Sequence, residues 1–416
     1  MASGVELPPL GWHCLSVGYR RRQPRPRLFR EASEPMNFTH PNARYRFGFV
    51  LNTTIGNMTR YLNLRKYAER DHEIEFTWAP VNHYTPPDFP SSLRFLPDPL
   101  FMRARLLQQA WPVLSRLGSF DAVMFHLYEA DLISAARRYL FRRPLRISST
   151  DEAPITNRET YPLYPSEAAK PVWRQNMRLK IDRWRVRKTD VFIPFSSWAA
   201  NILTSDCGAP RENVHPLHVG LDLEVWHPVP RTVRSIGEKL RILFVGSDFV
   251  RKGGNLLLDV FRHRLQGEAE LHLVTKQAPA ELPPDVFVHA DLGPNDHRLA
   301  NLYRNSDLLV VPTTADVGPL WVFMEAMAMR LPIVGTDTGS ATELVQDGVT
   351  GLVVKVGDGD GVAKAIHTLA ANPPLRLSMG DRGRSLVEAK YDAAKNVPQI
   401  IGIMKDAVDR ARRHST

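Results

Sequence analysis

The stretch RILFVGSDFVRKGGNLLLDVF, residues 241–261, decides how the chain reads. RILFVG is a short apolar run of the kind that forms a buried strand, and NLLLDVFRHRL has the spacing of an amphipathic helix. Between them lie Ser247, Arg251, Lys252, Gly253 and Gly254. Two cations and two glycines between a strand and a helix predict a seat for a phosphate. The glycines permit close backbone approach, the helix start offers N–H groups, and the cations offset negative charge. The loop is neither G-x-x-x-x-G-K-[ST] nor G-x-G-x-x-G, so it specifies neither of those nucleotide sites.

Outward from this stretch, the same alternation recurs. AELHLVT, VFVHADLG, DLLVVPT, PIVGT and GLVV follow as short apolar runs with helical segments between them. On the N-terminal side RYRFGFVLN, EIEFTWAPV, FDAVMFHLY, LRISST and DVFIPFS do likewise. Strands alternating with helices imply mostly parallel sheets covered on both faces. The segment LHVGLDLEVWHPVPRTVRSIGEKL breaks the rhythm with Gly, Pro and charge. It divides the chain into a first α/β domain at 44–228 and a second at 238–390, with a flexible basic arm at 1–43 and a helical segment at 391–416 that can pack back on the first domain. Such domains bind ligands where the strands' C-terminal ends open into a cleft.

The 416 residues exceed one ordinary core, and 43% hydrophobic with 24% charged content suits a globular chain. No run is long and apolar enough for a membrane-spanning helix, and the N-terminal stretch lacks the pattern of a signal peptide. Cys14 and Cys207 form neither a disulfide framework nor a metal knuckle, which points to a reducing cytoplasm. Lys and Arg number 54 against 44 Asp and Glu, a net charge of +10. The clusters RRRQPRPRLFR and RLKIDRWRVRK come without interleaved stacking aromatics or a nucleic-acid module, so nucleic acid is not the expected partner. RLKIDRWRVRK reads as the solvated face of a helix, and Trp173 and Trp184 read as core. The basic arm suits an anionic membrane surface and places the chain on the membrane's cytoplasmic face.

The second informative stretch is PTTADVGPLWVFMEAMAMRLPIVGTDTGSATELVQDGVTGLVV, residues 312–354. A strand there ends in a Thr/Asp/Gly/Pro loop, and a helix begins near Pro319. Glu325 falls about two turns in, where a carboxylate can meet paired hydroxyls. Taken in order, the two stretches resemble the retaining GT-B glycosyltransferases of family 4, the group 1 glycosyl transferases. The resemblance covers Arg44 to about Arg410 and is strongest from Arg241 to Val354. It implies two doubly wound, Rossmann-like domains facing a central cleft, and transfer of a sugar from a nucleotide-sugar donor, UDP- or GDP-linked, to a glycan or glycolipid hydroxyl.

The resemblance also assigns residues. Glu325 holds the donor's ribose, and Lys252 and Arg251 hold its diphosphate. Backbone around Gly318, Pro319 and Leu320 faces the sugar and phosphate. Gly56, in TTIGN, lies near donor and acceptor, and His126 contacts the donor sugar. Asp151, in STDEAP, falls on the acceptor side, although a turn cap is the favoured reading of that residue. Two departures stand out. The first Glu of the family's E-x7-E falls on Val317, with Asp316 as its neighbour and substitute. Ser247 stands where the family often has Arg, leaving Arg251 to supply that charge. No cofactor or metal is expected. The DGDG at 358–361 reads as a turn and helix cap, and Glu343 reads as a capping residue in its own helix's first turn. Two other readings compete: a phosphorylase or epimerase on the same scaffold, and a non-catalytic nucleotide-sugar binder or partner subunit.

Overall fold

The computed structural model describes residues 36–38, 41, 43–54, 56–82, 98–126, 128–137, 144–150, 171–229, 234–293, 296–316 and 320–414. Asp151, Val317, Gly318, Pro319, Cys14, most of the basic arm and the Tyr161/Tyr164 pair lie outside those residues.

The first domain contains strands β1 (Met36–Phe38), β2 (Tyr45–Asn52), β3 (Ile74–Val81), β4 (Ala122–His126), β5 (Leu145–Ser148) and β6 (Val191–Phe192). They form one sheet in the order β1-β3-β2-β4-β5-β6, in which only β1 runs antiparallel. Met36–Phe38, within the segment read as an arm, is therefore an edge strand opposite Phe76–Trp78. Its helices are α1 (Gly56–Ala68), α2 (Asp98–Leu114), α3 (Tyr128–Arg137), α4 (Val172–Val186) and α5 (Ser197–Ser205). The central strand β2 is buried along nearly all its length, the pattern of a parallel strand covered on both faces. Phe47, Phe49, Phe76 and Trp78 fill one face, and Val50 and Phe125 meet α2 through Leu106 and Val113 on the other. Trp173 is 60% exposed on α4, beside exposed Val172 and Met177, so the expectation that it is core fails. The reason is that α4 presents its first turns to solvent on every side and only Asp182 and Val186 are buried.

The second domain has β7 (Leu240–Val245), α6 (Gly254–Val260), β8 (Ala269–Val274), β9 (Val286–Val288), α7 (His297–Asn305), β10 (Leu308–Val311), α8 (Trp321–Ala328), β11 (Ile333–Thr336), α9 (Ala341–Leu344), β12 (Gly351–Val354), α10 (Gly359–Ala370) and α11 (Pro373–Lys390). Its sheet is wholly parallel, in the order β12-β11-β10-β7-β8-β9. The chain winds outward in one direction from β7 and in the other from β10, so the switch point lies between these neighbours. In the first sheet the corresponding pair is β2 and β4. The loops after all four strands therefore define two crevices.

The last helix, α12 (Ala393–Arg413), is sequentially beyond the second domain and spatially part of the first. Val397, Ile400, Ile401, Met404 and Val408 enter the cluster of Phe47 and Phe76. Burial of each such side chain is worth about 1.5–3 kcal/mol. Tyr45 Oη donates to Asp409 Oδ2 at 2.9 Å, and Lys405 pairs with Asp71 at 2.6 Å. The return path crosses the outward one: Leu221 N donates to Tyr391 O and Ala393 N to Leu221 O, both at 2.8 Å. Gly220 permits this crossing, because its φ is +84° and a Cβ there would lie 2.5 Å from Tyr391 O.

Candidate active site

The loop after β7 is built around a sharp turn. Gly253 has φ +78°, and a Cβ on it would stand 2.0 Å from Pro312 O; one on Gly254 would stand 2.3 Å from the Phe249 ring. The two glycines thus bring this loop against the loop after β10, rather than leaving a cradle open. Three further bonds lock the loops together: Arg251 O accepts from Thr314 N at 2.8 Å, Thr314 Oγ1 at 3.0 Å and Thr313 Oγ1 at 3.2 Å. The N–H groups of Lys252, Gly253 and Gly254 are already given to Asp248 O, Val250 O and Phe249 O. What the loop offers an anion is therefore its side-chain charge. Ser247 is exposed at the loop's start.

That charge is paired. Lys252 Nζ donates to Asp316 Oδ2 at 2.5 Å, and Arg251 Nη1 donates to Asp316 Oδ1 at 3.2 Å and to Ala315 O at 2.7 Å. Thr313 Oγ1 adds a third donor to Asp316 Oδ2 at 3.0 Å, and Arg251 Nε reaches Asp248 Oδ2, also at 3.0 Å. Burial holds the Lys252 ammonium below its usual range, against the opposing pull of Asp316. Asp316, assigned from the resemblance to the transferred sugar, here faces the two cations.

Glu325 occupies the middle of α8. Its carboxylate is largely buried: the residue is 4% exposed, and Tyr303 Oη on α7 donates to Oε2 at 2.8 Å. Trp226 closes over Tyr303 edge-on at 5.5 Å. Burial raises the Glu325 carboxyl to about 7, with the Tyr303 hydrogen bond pulling the other way. Tyr303 uses one of the carboxylate's several acceptor positions.

Across the cleft, the first crevice is aromatic. Asn52 Oδ1 accepts from Thr54 N at 2.9 Å and Thr54 Oγ1 at 2.7 Å, folding the loop that leads to Gly56. A Cβ on Gly56 would lie 3.3 Å from Trp321 Cδ1, so the start of α8 rests on the start of α1. His126, at the end of β4, packs against Phe195 at 5.7 Å between centroids. Phe195 in turn meets His218 at 5.3 Å, and His218 meets Trp321 at 4.8 Å. This chain of rings joins the two domains. Buried Arg60 lies over the Phe195 face at 4.3 Å and donates to Ser149 Oγ at 2.7 Å.

Glu343 does not cap its own helix. Its carboxylate accepts from Trp198 N at 2.8 Å and Ser197 N at 3.2 Å, so it caps α5 of the other domain. Sequence reasoning missed Arg60, Phe195, His218, Tyr303 and Trp321. Of these, only Trp321 carried a signal, since it directly follows the loop read as facing the donor. Asp358 does cap α10, accepting from Gly361 N at 2.8 Å. Among the described residues no group of three or more His, Cys, Asp or Glu side chains could hold a metal ion, and no helix is long and apolar enough to cross a membrane.

Comparison with known proteins agrees with this geometry. Sucrose-phosphate synthase from Thermosynechococcus elongatus superposes with a TM-score of 0.70 at 18% identity, over 87% of this chain and 99% of that one. HepE from Anabaena, solved in complex with UDP-glucose, gives 0.62 at 16% identity, over 87% of this chain and 100% of that one. The fold is GT-B: two parallel-sheet α/β domains about a cleft. Residues 239–372 match the model of the glycosyl transferases group 1 family. An MMP α-(1→4)-mannosyltransferase of Mycolicibacterium hassiacum is 27% identical over 325 residues, 73% of this chain and 75% of its own. An α-D-kanosaminyltransferase of Streptomyces kanamyceticus is 32% identical over 242 residues, 54% of this chain and 62% of its own. Residues 239–372 thus form a glycosyl transferases group 1 domain within a GT-B fold. Relatives that are themselves named transferases do not favour the non-catalytic reading.

Proposed function

We propose that the chain moves a hexose-type sugar from a UDP- or GDP-linked donor to a hydroxyl of a glycan or glycolipid, with retention of configuration and without a metal ion. The carrying observation is the second crevice, where Arg251 and Lys252 converge within hydrogen-bond distance of one carboxylate. Two cations, with the Lys252 side chain 12% and that of Arg251 31% exposed, match the charge that develops on a departing nucleoside diphosphate. Glu325 binds the ribose hydroxyls, sharing its carboxylate with Tyr303. Gly318, Pro319 and Leu320 face the sugar, and Asp151 lies toward the acceptor. His126 and Gly56 meet the donor sugar from the first domain. Domain closure, marked by the Gly56–Trp321 contact, excludes water from the reacting centre. Retention follows from the family resemblance. The proposed setting is the cytoplasmic face of a membrane, with the basic N-terminal residues on anionic lipid and no nucleic-acid partner. A mannosyltransferase among the relatives and a UDP-glucose complex among the neighbours support a nucleotide-sugar donor.

The test is a thermal-shift panel with UDP, GDP, ADP and their sugars, with and without EDTA. One nucleotide series is expected to raise the melting temperature, and EDTA is expected to leave that shift unchanged. Flat melting curves with every nucleotide would remove the donor site, and a shift abolished by EDTA would remove the metal-free mechanism.

A further inference from the structure

Asp316 stands among the charges that the proposed donor needs. It takes hydrogen bonds from Lys252, Arg251 and Thr313, and only 13% of its side chain is exposed. Among the described residues, Arg251 and Lys252 are together faced by Asp248 and Asp316, so these four charges cancel. A neutral seat gives an arriving anion no net attraction. Diphosphate oxygens and the Asp316 carboxylate also need the same N–H donors. The backbone at Arg251 is tied to the N–H and hydroxyl of Thr314 whether or not Asp316 stays. The carboxylate can therefore leave by side-chain rotation while the loops hold their places.

We infer that Asp316 is a resident counter-ion of the diphosphate seat: a donor must displace it to bind, and it reclaims Arg251 and Lys252 when the nucleoside diphosphate product leaves. The inference rests on the donor reading above. Displacement lowers apparent affinity by the fraction of chains in which the seat is open. It also selects for charge, since a diphosphate outcompetes one carboxylate better than a monophosphate does. Asp316 is thus a positioning residue that sets donor affinity against product release.

Calorimetric titration of wild type and Asp316→Asn with UDP, UMP, GDP, GMP and inorganic pyrophosphate tests this, together with steady-state kinetics. If the open fraction is about one tenth, Asp316→Asn binds the preferred nucleoside diphosphate about tenfold tighter. It also narrows the preference for diphosphate over monophosphate, and both KM for the donor and kcat fall because product is held. A merely structural Asp316 would weaken binding and raise KM. Thr313→Val removes the hydroxyl shared among Asp316 Oδ2, Arg251 O and Ala315 O, while Thr314 still ties the loops; it is expected to tighten binding about threefold, with the same direction in KM. It serves if Asp316→Asn does not fold. Nucleotide binding by wild type with no tightening in either variant overturns the inference and leaves the donor site standing. No nucleotide binding by wild type or variants overturns both.

Discussion

The two crevices occupy equivalent places in two similar sheets, yet they are made of different material. In the second, Arg251, Lys252, Asp248, Asp316 and Thr313 form a network of charge-assisted bonds around a glycine-dependent turn. In the first, His126, Phe195 and His218 pack as tilted and edge-on rings, and buried Arg60 lies over an aromatic face. One is built to manage charge, the other to supply shape and a ring nitrogen. A leaving diphosphate needs the former, and a neutral sugar needs the latter.

The strongest way to break this contrast is Gly253→Ala. A Cβ at φ +78°, 2.0 Å from Pro312 O, cannot be accommodated without moving the loop after β10. We expect a loss of about 3 kcal/mol or more in stability and loss of nucleotide binding, read by denaturant titration. Gly56→Ala is milder, since its Cβ would meet only the Trp321 side chain at 3.3 Å. Equal losses from the two changes would show that the crevices do not differ in rigidity.

Charge removal comes next. Lys252→Ala is expected to cut kcat/KM for transfer by about 10²–10³, as loss of one transition-state donor does elsewhere. His126→Ala is expected to leave nucleotide affinity within about twofold while lowering kcat, because the contact proposed for the ring is with sugar rather than phosphate. Titration with the bare nucleotide separates the two: a His126→Ala variant that loses nucleotide binding would erase the distinction.

The last test is of pH dependence. Glu325 titrates at about 7 in the folded chain, above its ordinary value, so the folded state holds a proton that the unfolded state has lost. Stability from this group is full below about pH 4.5 and is lost as pH rises toward 7, by up to about 3 kcal/mol. Glu325→Gln should flatten the stability profile across that window. An unchanged slope would place the titrating group elsewhere.

Much of this was legible in the linear chain. The strands announce themselves because central parallel strands must be apolar on both faces, and β2, β7, β10 and β11 all satisfy that locally. The RKGG turn was visible because glycine adopts such backbone most readily; only the structure showed that the close approach at Gly253 is to Pro312. Trp173 and Glu343 were misread for one reason. Whether a tryptophan is covered, or which helix a carboxylate caps, depends on a neighbour remote in sequence, and Glu343 finds its partner 145 residues away at Trp198.

The sequence by itself determined the alternation of strands and helices, the two sheets and the place of the cation-bearing loop, since these rest on local periodicity and turn chemistry. Only the tertiary structure decided that Asp316 pairs with Arg251 and Lys252, that Tyr303 donates to Glu325, and that Glu343 caps α5 of the other domain. Each of those facts is a meeting of side chains from separate elements, and such meetings are set by how the elements pack.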